Sequence, residues 1–260
     1  MPIINADDGC PISVEVTGPD RAPALMLSNS LGTNLNMWDD QIAAWAAHFR
    51  VIRYDRRGHG GSGAPAGPYS MERFGRDVIA VLDALHVEKT NWCGLSMGGM
   101  VGQWLGANAP DRIDKLILSN TNDYYADRNA WNDRIKFVRN NGLEKLVDPN
   151  MERWFTEGFR TRSPETIARM KAIFMTTDLN GYIACCEAIR DMDFRASNPT
   201  IKAPTLVIVG AQDPATPPAL GEAIAAQIPG ARVVSLDAAH IANMEQPKLY
   251  ADTVLNFLQS

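Results

Sequence analysis

The 260-residue sequence has a shortage of positive charge, few cysteines and histidines, and no long apolar run. Lysine and arginine total 25 against 30 aspartate and glutamate residues, for a formal net charge of -5. No basic cluster offsets that balance, which argues against nucleic acid or an anionic membrane as a partner. The overall field also does not attract an anionic substrate, so any such substrate needs a local cation. No segment approaches the ~20 apolar residues of a membrane span. The start, Met1-Pro2-Ile3-Ile4-Asn5-Ala6-Asp7-Asp8, lacks the basic residues and apolar core of a signal peptide. The expectation is a cytoplasmic protein. The four cysteines, Cys10, Cys93, Cys185 and Cys186, show no metal-ligand spacing. They read as buried free thiols in a reducing compartment, and no metal site is expected.

What is present is an ordinary globular composition on a chain long enough to bury a large core unaided. The segments alternate in type. Ile12 to Val16 alternates apolar with polar and reads as an edge hairpin strand. Ala24-Leu25-Met26-Leu27 is a short, wholly apolar run, as expected of a strand buried on both faces. Arg50 to Tyr54, Thr90 to Cys93 and Leu116 to Leu118 also read as strands. Between them, Phe74, Val78, Val81, Leu82 and Leu85 recur at helical period, and Met100, Val101, Trp104 and Leu105 form another stripe. From Asn122 to about Arg195 the pattern turns helical, rich in aromatics and arginine. Strands resume at Thr205 to Val209 and at Val233-Val234, with helices from about Pro218 and Pro247. This alternation predicts an α/β fold with a mostly parallel sheet covered by helices on both faces. Residues 1–121 and 197–260 form the expected core, and residues 122–196 an inserted helical cap. In such sheets the ligand sits at the carboxyl ends of the strands, where the cap would cover it.

Gly94-Leu95-Ser96-Met97-Gly98 matches G-x-S-x-G between a strand and a helix, the setting of a nucleophile elbow. Ser96 must sit on a sharp turn to project its hydroxyl, and side chains at Gly94 or Gly98 would strike neighbouring backbone. The bland alternative is a glycine-rich turn without chemistry. A serine nucleophile needs a general base, and there are four histidines. His48 and His86 end helices and read as surface or cap residues. His59 lies in Asp55-Arg56-Arg57-Gly58-His59-Gly60, where turn chemistry accounts for the segment. His240 follows the last strand through Asp237-Ala238-Ala239, which delivers an imidazole to the sheet's carboxyl edge.

The orienting acid should fall between Ser96 and His240, just past a strand, giving the order serine, acid, histidine. Asp213 in Val209-Gly210-Ala211-Gln212-Asp213-Pro214 satisfies this, in a loop stiffened by Pro214, Pro217 and Pro218. Asp237 and Asp123 are the competing acids, and a turn or helix cap is the structural alternative for Asp213. Acyl transfer also needs two donors for a tetrahedral oxyanion. The backbone N–H of Met97 is one candidate. The other is the N–H of Leu31, in Ser28-Asn29-Ser30-Leu31-Gly32-Thr33-Asn34.

That loop, with Trp38 behind it, carries a resemblance. It has Asn29-Ser30 where α/β-hydrolases usually have His-Gly, and in this it resembles the 3-oxoadipate enol-lactone hydrolases. The likeness continues through Tyr54-Asp55-Arg56-Arg57-Gly58-His59-Gly60 and Gly94-Leu95-Ser96-Met97-Gly98-Gly99-Met100. It also takes in Arg112-Ile113-Asp114-Lys115-Leu116, Trp131-Asn132-Asp133-Arg134, Gly210-Ala211-Gln212-Asp213 and Ala239-His240. It implies the α/β-hydrolase fold and cofactor-free hydrolysis of a five-membered enol-lactone with a carboxymethyl arm. Asn29 and Ser30 are then expected to bind substrate.

An anionic lactone needs a cation, and Arg134 is the expected one. On a helix Trp131 and Arg134 share a face, and Trp154 is a candidate opposing wall. The alternative is that Trp131 packs in the cap while Arg134 reaches solvent. Arg56 and Arg57 read as braces of their own glycine-rich loop. The expected partner is a small anionic lactone, and the sequence leaves room for a homo-oligomer. Within the same fold class a carboxylesterase, a perhydrolase or a carbon–carbon bond hydrolase fits as well. From another class, a slow-turnover ligand receptor fits.

Overall fold

The computed structural model describes residues 2–260. Eight strands form one sheet: β1 (Ile3–Asn5), β2 (Pro11–Thr17), β3 (Ala24–Ser28), β4 (Arg50–Tyr54), β5 (Thr90–Leu95), β6 (Ile113–Ser119), β7 (Thr205–Gly210) and β8 (Arg232–Leu236). Their order is β1-β2-β4-β3-β5-β6-β7-β8. The pairs β1/β2 and β2/β4 are antiparallel, and every other neighbouring pair is parallel. All residues of β3, β5 and β7 are buried, which explains the apolar runs Ala24–Leu27 in β3 and Leu206–Val209 in β7. The segment from Ile12 to Val16 is not an edge strand, as its alternation suggested. It lies inside β2, with β1 outside it. Three mostly exposed residues of β1 leave too short a pattern to read.

The core helices are α1 (Asp39–Trp45), α2 (Met71–Ala84) and α3 (Met97–Asn108) before the insertion. Five helices follow between β6 and β7: α4 (Arg128–Asn141), α5 (Val147–Trp154), α6 (Glu157–Arg162), α7 (Pro164–Phe174) and α8 (Leu179–Asp191). Helices α9 (Pro218–Gln227), α10 (Ala242–Glu245) and α11 (Pro247–Gln259) complete the chain. Local chemistry starts several of them. Ser70, Asp127, Thr156 and Asp178 each accept a backbone N–H of the first turn of α2, α4, α6 and α8. An isolated bridge between Tyr124 and Asp193 draws the two ends of the insertion together.

The sheet's order reverses at β3. The chain leaves β3 for β4 on one side and later builds β5, β6, β7 and β8 on the other. The carboxyl ends of β3 and β5 therefore flank a switch point, the place where open α/β sheets bind ligands. Among the described residues no helix is long and apolar enough to cross a membrane.

Candidate active site

Ser96 follows β5 and immediately precedes α3 with φ 57° and ψ -116°. A serine at positive φ is strained, and strain of this kind persists only where the surroundings enforce it. Its N–H donates to the Ser119 carbonyl at 2.8 Å, and its carbonyl accepts the Thr121 hydroxyl at 2.7 Å. The glycines are sterically required: a Cβ on Gly94 would overlap the Gly98 carbonyl, and one on Gly98 the Ser28 carbonyl. The N–H of Met97, first residue of α3, and that of Leu31 donate to no group among the described residues. Both are free to receive a ligand oxygen.

His240 is brought to Asp213. Its Nδ1 lies 2.8 Å from Asp213 Oδ2, and both side chains are buried. Asp213 is densely held. Its Oδ1 accepts the backbone N–H groups of Ala215 and Thr216, at 2.8 and 3.0 Å. Its Oδ2 also accepts the Thr216 hydroxyl at 2.6 Å and Asn120 Nδ2 at 3.0 Å. Burial by itself would raise the Asp213 pKa, but the charge on His240 and these hydrogen bonds outweigh it and lower the carboxyl to about 2. Asp213 is thus an ionised acceptor that keeps the proton on His240 Nδ1 and leaves Nε2 as the base. Neither competing acid is placed for that work. Asp237 is exposed and accepts from Gln212, and Asp123 accepts from Gln227 at 2.7 Å. His48 and His86 are exposed.

Ser96 and His240 line one cavity of about 210 Å³, with Ser30 and Leu31 on its wall. The insertion contributes Trp131, Arg134, Arg153 and Trp154 to the same cavity. Arg134 is half-buried, and its guanidinium bonds within the insertion. Its Nε and Nη2 donate to the Tyr182 hydroxyl at 2.8 and 2.5 Å, and Nη2 also donates to Asn150 Oδ1 at 2.9 Å. No carboxylate pairs with it among the described residues, so its charge is not neutralised. Trp131 stands edge-on to Tyr125, and Trp154 edge-on to Phe174, at centroid distances of 5.3 and 5.8 Å.

Asn29, expected to bind substrate, is not on the cavity wall. Its Nδ2 donates to the Tyr54 carbonyl at 3.0 Å, and its Oδ1 accepts Trp38 Nε1 at 2.9 Å. Both ends of the amide are consumed beneath the loop, so Asn29 fixes the backbone instead of meeting a ligand. Arg56 and Arg57 are buried braces: Arg56 donates to the Asn29 carbonyl at 2.8 Å, and Arg57 forks onto Asp77. Three supporting residues were not singled out from the sequence: Asn120, Thr216 and Glu245. Glu245 is buried, accepts the Ala239 N–H at 3.0 Å and bonds the Thr156 hydroxyl, joining the His240 loop to the insertion. Only the positive φ of Asn120, at 45°, marks any of them as unusual, and that is not visible in a sequence.

The α/β hydrolase fold family pattern matches residues 23–247. The chain belongs to that family. It is 43% identical to 3-oxoadipate enol-lactonase 2 of Acinetobacter baylyi over 237 residues, 91% of this chain and 89% of that one. It is 35% identical to 3-oxoadipate enol-lactonase 1 of the same organism, covering 99% of this chain and 97% of the relative. The crystal structure of the enol-lactonase from Burkholderia xenovorans superimposes with a TM-score of 0.97 at 42% identity, covering 100% of both chains. Within the α/β-hydrolase family, then, the similarity to enol-lactonases extends over the whole chain.

Proposed function

We propose that this chain is a serine hydrolase that opens the ring of 3-oxoadipate enol-lactone to give 3-oxoadipate. One observation carries the choice of an acidic lactone. Arg134 shares a cavity with Ser96 and His240, and it donates to the neutral side chains of Tyr182 and Asn150, with no carboxylate partner among the described residues. A half-buried guanidinium without a counter-ion favours an anion within its reach, and its Nη1 hydrogens are left to donate to a carboxylate. Trp131 and Trp154 offer apolar walls for a flat ring.

The chemistry follows from the site. His240 Nε2 takes the Ser96 proton as Oγ attacks the lactone carbonyl. Asp213 holds the ring in the reactive tautomer and stabilises the imidazolium. The N–H groups of Leu31 and Met97 receive the oxyanion. Collapse breaks the ring carbon–oxygen bond and expels an enolate, which takes a proton from His240. The freed enol tautomerises to the ketone. His240 then activates a water that hydrolyses the ester on Ser96, giving the acid and restoring the hydroxyl. The protons of the acylation and deacylation steps pass through His240.

The same reading keeps the enzyme in the cytoplasm with a small anionic lactone as its partner. In support, all four cysteines are free and buried, as suits a reducing compartment. Purified protein should be assayed on the enol-lactone beside a small neutral ester and a ring-fission dienoate. Preference for the lactone by about tenfold or more in kcat/KM is the expected result, given what a hydrogen bond to a charged group is worth. Faster cleavage of the dienoate would mean carbon–carbon bond hydrolysis, and would overturn the lactonase reading.

A further inference from the structure

The loop after β4 reaches the site from below. Gly32 follows Leu31 with φ 74°, a conformation that glycine enters freely and leaves freely. Its N–H donates at 2.9 Å to Nε2 of His59, which is buried and 27 residues away in sequence. On the other side of Leu31, the Ser30 carbonyl accepts the N–H and hydroxyl of Thr33, at 3.3 and 2.9 Å. In a trans peptide the Leu31 N–H points opposite to the Ser30 carbonyl, so the bonds to Thr33 turn it away from Thr33. We propose that His59 is a positioning residue: by holding the Gly32 N–H it fixes the Leu31–Gly32 peptide and keeps the Leu31 N–H aimed into the cavity beside Ser96.

The role requires a neutral ring whose proton sits on Nδ1. Burial, reinforced by the charge of Arg56, lowers the His59 pKa to about 3. Nδ1 faces the Arg57 carbonyl at 3.3 Å, an acceptor for its proton, and Nε2 is left as the acceptor for Gly32. Arg56 acts on the same loop, donating to Ser28 Oγ and the Asn29 carbonyl at 3.2 and 2.8 Å. If His59 were lost, the buried Gly32 N–H would have no acceptor, and a flexible glycine peptide would turn to find one. The Leu31 donor would move with it. The lost contact is one made to the transition state, so kcat should fall and KM should not.

This inference rests on the serine-hydrolase reading, and a neutral activated ester, p-nitrophenyl acetate, separates the two. Wild type, His59→Leu and His59→Gln are compared on that ester and on the enol-lactone, with folding checked by near-ultraviolet circular dichroism. Removing an oxyanion donor outright lowers kcat about a hundred- to a thousand-fold, so a displaced one should lower it roughly ten- to a hundred-fold. His59→Leu should show that loss on both substrates with KM changed less than about threefold. His59→Gln, whose amide oxygen can accept from Gly32, should recover most of kcat. If His59→Leu does not fold, His59→Asn, whose shorter amide falls short of Gly32, replaces it. An unchanged kcat, a rise in KM alone, or a His59→Gln variant as slow as the leucine one overturns the role. Failure on the lactone with turnover of the ester in wild type would refute the substrate and leave the test of His59 standing.

Discussion

Asp213, behind His240, and Arg134, on the cavity wall, are charged groups of the same site, yet they are held differently. Asp213 sits at the end of a sheet strand and takes two of its hydrogen bonds from backbone N–H groups, with side chains adding the rest. Arg134 stands on a helix of the insertion and is held by two side chains, Tyr182 and Asn150. Backbone donors survive every single substitution except one to proline, whereas a hydroxyl and an amide are lost with their side chains. The sheet thus fixes the chemistry, and the insertion carries contacts that substitution can retune. Such a division lets one catalytic core serve many substrates.

The largest expected effect tests the core half of that comparison. Ser96→Ala should lower kcat about a million-fold, as loss of a triad nucleophile does. The strain at φ 57° is a backbone property, so the variant should keep its circular dichroism spectrum and melt near wild type. More than a few per cent residual activity in the folded variant would remove Ser96 from the mechanism. Next comes Asp213→Asn. An amide in place of the carboxylate can donate to His240 Nδ1 and favour the wrong tautomer, for a loss of roughly ten-thousand-fold in kcat. KM should move little. Asp237→Asn and Asp123→Asn should leave kcat within a few-fold, and a large loss in either would relocate the acid.

How much of this was legible beforehand follows the same divide. Ser96, Asp213 and His240 each lie just beyond a strand, so a periodicity that locates strands also locates them. Residues whose work is to bond across the fold left no such trace. Asn120 meets Asp213 from 93 positions away, and His59 meets Gly32 from 27. Thr216 bonds Asp213 from within its own loop, where a threonine beside prolines carries no signature of that bond. Asn29 misled because a polar side chain in an oxyanion loop reads the same whether it faces the ligand or the sheet. Its direction is decided by the Tyr54 carbonyl and Trp38, which no local pattern reveals. Strand β1 escaped because three residues carry no period.

On the insertion's side of the comparison, effects should be smaller and selective. Arg134→Leu should lower kcat/KM on the acidic lactone about ten- to two-hundred-fold, the worth of a hydrogen bond to a charged group. The neutral ester should be spared. Equal losses on both substrates would indicate damage to the helical packing, and no loss on either would transfer the anchor to Arg153, the other insertion arginine lining the cavity.

The smallest effect is the most discriminating. Tyr182 is fully buried, and burial holds its hydroxyl protonated, raising the pKa far above the ordinary tyrosine value. It is thus a neutral partner for Arg134, accepting two of its N–H groups without cancelling its charge. Tyr182→Phe keeps the ring that packs edge-on against Phe174 at 5.9 Å and removes only that acceptor. The guanidinium keeps Asn150 and its charge but loses its fixed direction. A neutral hydrogen bond is worth about 0.5–1.5 kcal/mol net, so KM for the acidic lactone should rise roughly two- to thirteen-fold, with kcat near wild type. Combining Tyr182→Phe with Arg134→Leu should then add nothing on the lactone, because a positioning hydroxyl has no purpose once the group it positions is gone. Additive losses in that double variant would mean that Tyr182 acts on the substrate independently, and the insertion would then hold two determinants of specificity where this geometry shows one.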